Sequence, residues 1–330
     1  MLEIGKLKLK SNLILAPMAG ITDLPFRILC RKFGVELAFV EMINCRSISH
    51  KSRRTRQMLS SVKGDAPLGI QILGCEEQYI LKALDVLRGY KFQLLDFNAA
   101  CPAKKVVRRG EGAGLLKDPK KLKQILKLVV KNSWLPVTLK IRLGWDKDSV
   151  NAVETALLAQ DCGINALFVH GRTKTQGYSG QVDYKAIAEV KKVLNIPLIA
   201  SGDVFSGELA RKMLDETGAD ALNIARGSLG NPWIFKEIKG YLKGKIMPRP
   251  ANEDIAKVML EHLGSCIDFY GDKNGVVIFR KFYSWYTKGQ RKVRRLRERS
   301  SRAKTRQEME EIIRQALDGG RSPRYQAKQL

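Results

Sequence analysis

Two stretches and one histidine hold the side chains that could do chemistry, and each stands where an apolar run stops. Leu94-Leu95-Asp96-Phe97-Asn98 opens as a strand-like run and breaks off at Cys101-Pro102. Proline has no N–H to give a ladder, so a central strand cannot run through it. Asn98 and the Cys101 thiol are thus left at the exposed end of a buried strand, with Lys104, Lys105, Arg108 and Arg109 close behind. A thiol in such a place is either a small buried hydrophobe or a reactive group facing something anionic. The second stretch is Val137-Thr138-Leu139-Lys140-Ile141-Arg142. At a period of two, Thr138, Lys140 and Arg142 share one face, and Leu139 and Ile141 the other. If the apolar face meets helices, Lys140 points inward, where an ammonium is costly unless it meets an anion. That anion could be a phosphate, a carboxylate such as Glu41, or a reduced flavin ring.

His170 ends the run Ala166–His170 and precedes Gly171-Arg172-Thr173. It reads as a hydrogen-bond donor to a ring or a substrate, or as a satisfied structural histidine. Ser201-Gly202-Asp203 and Ala225-Arg226-Gly227 end two further runs. Glycines let backbone N–H groups approach an oxyanion, and Arg226 can grip a phosphate with two parallel bonds. The cysteines Cys30, Cys45, Cys75, Cys101, Cys162 and Cys266 form no CxxC pair, and no HxxxH spacing occurs. Neither a metal site nor a disulfide framework is therefore expected.

Positioning these groups requires a regular scaffold. Apolar runs recur every 25–30 residues or so, each followed by an amphipathic segment. They are Leu13–Ala16, Leu37–Val40, Leu68–Leu73, Leu94–Asn98, Val137–Ile141, Ala166–His170, Leu198–Ala200 and Ala221–Ala225. Between them, Glu77–Leu87, Pro119–Lys131, Val150–Cys162, Tyr184–Leu194 and Gly207–Thr217 have helical periodicity. Eight such units predict an α/β fold, a closed (β/α)8 TIM barrel. An open doubly wound sheet is the alternative, but no strand–GxGxxG–helix unit opens the chain, and Gly110-Glu111-Gly112-Ala113-Gly114 is only a spacing coincidence. In a barrel the strand C-terminal ends carry the site. All eight ends here are polar or glycine-rich, including Pro17-Met18-Ala19-Gly20 after the first, Glu41 after the second and Gln71 to Gly74 in the third.

Leu242-Lys243-Gly244-Lys245 and Pro248-Arg249-Pro250 break the pattern, and only helical periods follow, at Ile255–Tyr270, Gly275–Lys288 and Arg306–Leu317. The expected division is a barrel over residues 1–245, a small all-helical C-terminal domain over 250–318, and a basic disordered tail over 319–330. The 330 residues are 44% hydrophobic, enough for a large core, and carry a formal charge of +26 from 59 Lys+Arg against 33 Asp+Glu. Such an excess fits a polyanion, most often nucleic acid. No signal peptide, lipidation signal or bilayer-length apolar run is present, so a cytoplasmic protein with no membrane partner is expected. Nothing suggests an obligate dimer, and a monomer is expected.

The chain resembles the tRNA-dihydrouridine synthases, closest to the bacterial B type. The resemblance rests on Ala16-Pro17-Met18-Ala19-Gly20-Ile21-Thr22-Asp23, Gln71, Asp96-Phe97-Asn98 through Cys101-Pro102-Ala103-Lys104-Lys105-Val106, and Gly114-Leu115-Leu116. It continues in Leu139-Lys140-Ile141-Arg142-Leu143-Gly144-Trp145, Val169-His170-Gly171-Arg172-Thr173, Gly202-Asp203, Arg226-Gly227 and Gly230-Asn231-Pro232-Trp233-Ile234-Phe235. Arg280-Lys281 and Trp285-Tyr286-Thr287-Lys288-Gly289 extend it into the helical part. It implies an FMN enzyme with NADPH as reductant and tRNA as substrate. FMN would rest on Pro17, Met18 and Ala19, with Gln71, Lys140 and His170 at its ring. Ser201, Gly202, Asp203, Ala225 and Arg226 would hold its ribityl-phosphate end. Hydride would go to C6 of a flipped uracil and Cys101 would protonate C5, giving 5,6-dihydrouridine, while Asn98 orients the base. The chain departs from the family pattern at Ala100 and Ala225, where glycine is usual, and at Ser201, where asparagine is usual.

The helical part supplies a track for RNA. From Lys288 to Arg306 basic residues crowd together, among them Arg291, Arg294 and Arg295, with Glu298 the only acid. With Lys104, Lys105, Arg142 and Arg172 these are the expected substrate contacts, made through phosphates. Two rivals are a flavin barrel acting on free pyrimidines or small enones, and an RNA-binding protein with a dead barrel. The basic helical part argues against the first, and intact Cys101, Lys140 and His170 against the second.

Overall fold

A computed structural model describes residues 1–290 and 293–318. The predicted Arg291 contact and the predicted tail, 319–330, lie outside the described residues. The order of elements is β1 (Leu2–Ile4), β2 (Leu7–Leu9), β3 (Leu13–Leu15), α1 (Leu24–Lys32), β4 (Leu37–Phe39), β5 (Ile43–Asn44), α2 (Cys45–Ser49), α3 (Arg53–Met58), β6 (Leu68–Leu73) and α4 (Glu77–Leu87). Then come β7 (Leu94–Ala99), α5 (Lys104–Val107), α6 (Pro119–Asn132), β8 (Val137–Arg142), α7 (Ala152–Asp161), β9 (Ala166–His170), α8 (Tyr184–Val193), β10 (Leu198–Ser201), α9 (Gly207–Thr217) and β11 (Ala221–Ile224). The helices α10 (Ile234–Leu242), α11 (Asn252–Tyr270), α12 (Asp272–Tyr286), α13 (Arg294–Arg302) and α14 (Arg306–Asp318) complete it.

Eight parallel strands run in the order β4-β3-β11-β10-β9-β8-β7-β6, and the pairing of β4 with β6 closes the ring. That closure excludes the open sheet. Every residue of β6 and β7 is buried, as parallel strands covered on both faces require. Helix ends follow side-chain chemistry. Asp23, Asp118 and Ser206 accept the free N–H groups that open α1, α6 and α9, and Gly218 ends α9 in the left-handed region at φ 65°.

The barrel's N-terminal end is plugged by the β1–β2 hairpin. Leu2, Ile4 and Leu9 pack in one buried cluster with Ile14, Phe39, Leu94, Phe168, Ile199 and Ala221 from inside the barrel. Polar groups are thereby confined to the opposite, C-terminal mouth. The larger core lies between strands and helices and runs on without a break into α11, α12 and α14. His262 of α11 is fully buried there, its ring 4.3 Å from Phe282 and 5.8 Å from Phe26 of α1. Burial pushes its pKa down to about 3, so it is a neutral core residue.

Candidate active site

The mouth is organised by a buried carboxylate. Asp96 of β7 points into the barrel and accepts from Gln71 Nε2 of β6 at 2.6 Å and from Thr138 Oγ1 of β8 at 2.6 Å. Burial pushes its pKa up to about 6 against the pull of those two bonds. Gln71 Oε1 in turn accepts from Asn98 Nδ2 at 2.8 Å. Asn98 Oδ1 then accepts the backbone N–H groups of Ala100 at 3.0 Å and Cys101 at 2.8 Å. A relay of side chains thus runs from the barrel interior to the backbone of the cysteine and sets where the strand ends. Ala113 N–H donates to Cys101 O at 3.0 Å and holds the turn from the other side. The thiol is half-buried, and burial, the larger cause, pushes its pKa up.

Lys140 lies beside Asn98 in the β7–β8 register, with its Nζ 5.9 Å from the Phe168 ring inside the barrel. The expectation that it points inward is met. Its stem is partly open to the mouth, but Nζ is sealed from solvent and has no hydrogen-bond partner. Glu41, the carboxylate weighed as its partner, accepts from Gly20 N–H instead. Burial pushes the Lys140 pKa down to about 8, more than Asp96 raises it. His170 is next along the rim, in register with Arg142 and Ser201. Its Nε2 is buried and unpartnered, and burial with four nearby cations drives its pKa well down, leaving a neutral imidazole. Arg172 Nη1 and the side-chain amide of Asn223 on β11 are likewise buried without partners. A buried polar group left unmade costs about 1–3 kcal/mol. Several at one mouth fit a polar guest that completes them.

Pro17, Met18 and Ala19 follow β3 on the same rim. Thr22 Oγ1 braces this loop by accepting from Met18 N–H at 2.9 Å. Glu41 and Lys281 of α12 hold Gly20 N–H and Gly20 O, and Tyr270 of α11 donates to Asp23 at 3.0 Å. The helical part therefore braces the mouth directly. Across the barrel, Asp203 sits in the left-handed region at φ 47° and pairs with both Arg172 and Arg226. Gly202 and Gly227 answer to the protein's own packing. A Cβ on Gly227 would lie 2.0 Å from Val204 O, and one on Gly202 2.7 Å from Val182 Cγ2. Ala225 leads into the tight turn Arg226–Ser228.

The expected RNA contacts divide. Lys104, Lys105, Arg294 and Arg295 are exposed, the first two beside Cys101. Arg142 and Arg172 are buried, and apart from Arg172 Nη1 their donors are largely taken up by the protein itself. Arg142 donates to Ala100 O, Thr173 O and Gly177 O at 2.8–2.9 Å, stapling the loops after β7 and β9. Arg172 donates to Ser179 O at 3.0 Å and Gly180 O at 2.6 Å. The inward position of Arg142 at the end of β8 carried that signal, since a guanidinium there must satisfy its donors locally, whereas Arg172 lies in the loop after β9. Tyr178, given no role by the sequence reading, stands 55% exposed over the mouth. Its ring lies 4.7 Å from the Arg226 guanidinium and 6.3 Å from the His170 ring. An aromatic between Gly177 and Gly180, just past a site strand, was the available clue. Among the described residues no group of three or more His, Cys, Asp or Glu side chains could hold a metal ion, and no helix is long and apolar enough to cross a membrane.

Comparison with known proteins matches residues 14–319 to the dihydrouridine synthase (Dus) family. Relatives include tRNA-dihydrouridine synthase B of Pasteurella multocida, 42% identical over 289 residues that span 87% of each chain. The protein of the same name from Pseudomonas aeruginosa is 43% identical over 285 residues, 86% of each chain. Among solved structures, histamine dehydrogenase from Rhizobium sp. 4-9 matches with TM-score 0.57 at 12% identity, over 80% of this chain and 50% of that one. An old yellow enzyme homologue from Zymomonas mobilis gives 0.53 at 13%, over 77% and 94%. These two likenesses speak to the barrel alone. A family match running from β3 through α14, with relatives of 42–43% identity along nearly their full length, makes this chain a member of the dihydrouridine synthase family.

Proposed function

We propose that this protein reduces uridine to 5,6-dihydrouridine in tRNA, with FMN as its cofactor and NADPH as its reductant. The observation that carries the reading is a half-buried thiol on the Asn98 relay, beside the unpartnered donors of Lys140 and His170. Those donors suit an anionic ring rich in nitrogen and oxygen. Pro17, Met18 and Ala19 would floor it, and Lys140 and His170 would meet its polar edge. Gln71, whose amide bonds Asp96 and Asn98, would stand at the ring with them. Ser201, Gly202, Asp203, Ala225 and Arg226 would surround its phosphate end. Bound there, FMN reduced by NADPH supplies the hydride that goes to C6 of the uracil.

The remaining steps belong to the protein. Asn98 holds the Cys101 turn and faces the base edge. Cys101 gives its proton to C5. An ordinary thiol has a pKa near 8.5 and burial raises this one, so it stays protonated at neutral pH, as an acid must. A uracil inside folded RNA reaches this mouth only after flipping out of its stack. Lys104 and Lys105 then meet the flanking phosphates, and Arg294 and Arg295 of α13 more distant ones. We read the enzyme as a cytoplasmic monomer. Purification tests the reading. The protein should be yellow and should oxidise NADPH faster when unmodified tRNA is added. A colourless protein that FMN cannot reconstitute would refute it.

A further inference from the structure

The row of inward side chains at the mouth does not stop at His170 and Ser201. On β11, Leu222 and Ile224 belong to the core between strands and helices, while Ala221 lies in the cluster inside the barrel. Asn223 shares the inward face with Ala221, one step nearer the mouth. His170 is in register with Ser201, and the pairs Ile199–Ala221 and Ala200–Leu222 carry on to set Asn223 beside Ser201. On its other side Asn223 is in register with Ile14 of β3. Ala16 N–H donates to Ile224 O at 2.9 Å, so Pro17 leaves β3 at this corner. Asn223 is only 1% exposed, and both its Nδ2 and its Oδ1 are buried without a partner among the described residues. An amide so placed is costly unless a guest supplies both an acceptor and a donor.

We propose that Asn223 holds the hydroxylated chain that links the ring of the flavin to its phosphate. This rests on the flavin reading above. Neighbouring strands lie about 4.8 Å apart, which puts Asn223 about 10 Å around the barrel from His170. The ring's polar edge belongs to Lys140 and His170, on β8 and β9, and the phosphate to the loops after β10 and β11. Asn223 lies between the two, on the strand that leads into Arg226 and beside the loop that floors the ring. A phosphate would satisfy Nδ2 and leave Oδ1 bare. Hydroxyls satisfy both ends, because they accept from Nδ2 and donate to Oδ1. Ser201 is one of the positions where the chain departs from the family's asparagine, and Asn223 offers an amide one strand over.

The test is flavin binding to the flavin-free protein, read by flavin fluorescence, with three probes. FMN carries ring, chain and phosphate, riboflavin lacks the phosphate, and lumiflavin has a methyl group in place of the chain. Asn223→Leu, close to asparagine in shape, should bind FMN and riboflavin each about 5- to 50-fold more weakly, the worth of two hydrogen bonds, and lumiflavin as the parent does. Asn223→Ala should show the same pattern. Without flavin, Asn223→Leu should melt above the parent, because an unpartnered amide is gone. Adding Ser201→Asn to Asn223→Leu should recover most of the lost affinity, which a purely structural role would not allow. Unchanged binding of FMN and riboflavin in both single variants would overturn the proposal and leave the amide to buried water. A loss on lumiflavin as large as on riboflavin would overturn it too, since the contact would then be to the ring or the mouth would be damaged. So would a loss confined to FMN, which marks a contact to the phosphate. A parent that binds no FMN refutes the flavin reading itself. A parent that binds FMN while the Asn223 variants bind it equally well refutes the Asn223 proposal alone.

Discussion

Replacing Lys140 with methionine should make the flavin-free protein more stable and the flavin-bound protein less so. The two side chains are similar in length, and Nζ lies among buried atoms near Phe168 with no hydrogen bond to lose. A pKa held at about 8 against an ordinary 10.5 corresponds to about 3 kcal/mol of unfavourable burial. Part of that gain is returned, because Asp96 loses the one cation that favours its charge. A net gain of about 1–2 kcal/mol is expected, or roughly 2–4 °C in melting temperature for a chain of this size. The sign can be followed with pH. The folded pKa is depressed, so the parent's penalty is full below about pH 8. It shrinks as pH rises from about 8 through 10.5 and is gone above, where lysine is neutral in both states. The difference between variant and parent should close over that window. FMN binding should move the other way, weakening about 10- to 100-fold with loss of a charge-assisted contact. Thermal melts from pH 6 to 10, with and without FMN, read both arms. A variant that melts below the parent without FMN, or that binds FMN equally well, would refute the reasoning.

Three further outcomes follow from the same geometry. Asp203→Asn keeps a residue type tolerant of φ 47° but removes the charge shared by Arg172 and Arg226; urea unfolding should show a loss of about 1–3 kcal/mol, and no loss would mean that the pairing is idle. Gly112→Ala forces a left-handed alanine against Cys101; melting should fall by a few degrees and turnover by about tenfold or more with KM for tRNA kept, whereas unchanged turnover would show that the turn does not place the thiol. Changing the exposed pair Arg294 and Arg295 to glutamine should leave stability within about 0.5 kcal/mol. It should flatten the slope of log affinity for tRNA against log salt by about 1–2, and an unchanged slope would take α13 off the RNA.

Much of the barrel was legible because each strand is a short apolar run closed by a polar or glycine-rich end. Glu77–Leu87 and Gly207–Thr217 form helices with the very bounds their periodicity gave. The hairpin Leu2–Leu9 was not read, since strands of three residues show too little alternation to register, yet its leucines plug the barrel. The helix Arg294–Arg302 escaped for another reason. A stretch that is almost entirely charged and polar has no apolar stripe to reveal its period. The linker near Pro248 marks a real break in the pattern, but α11 and α12 pack back onto α1 through Phe26, His262 and Phe282. At the site, strand periodicity was enough to aim Lys140 inward. It also aimed Arg142 inward, and the RNA role expected of it disregarded that direction.

One measurement bears most directly on the function. The purified protein, loaded with FMN and supplied with NADPH, is incubated with unmodified tRNA, and dihydrouridine is counted by mass after nuclease digestion, for the parent and for Cys101→Ala. The parent should convert uridine, and Cys101→Ala should do so about a hundredfold or more slowly while NADPH still reduces its flavin at the parent's rate. No dihydrouridine from the parent, or a Cys101→Ala protein as fast as the parent, would contradict the account.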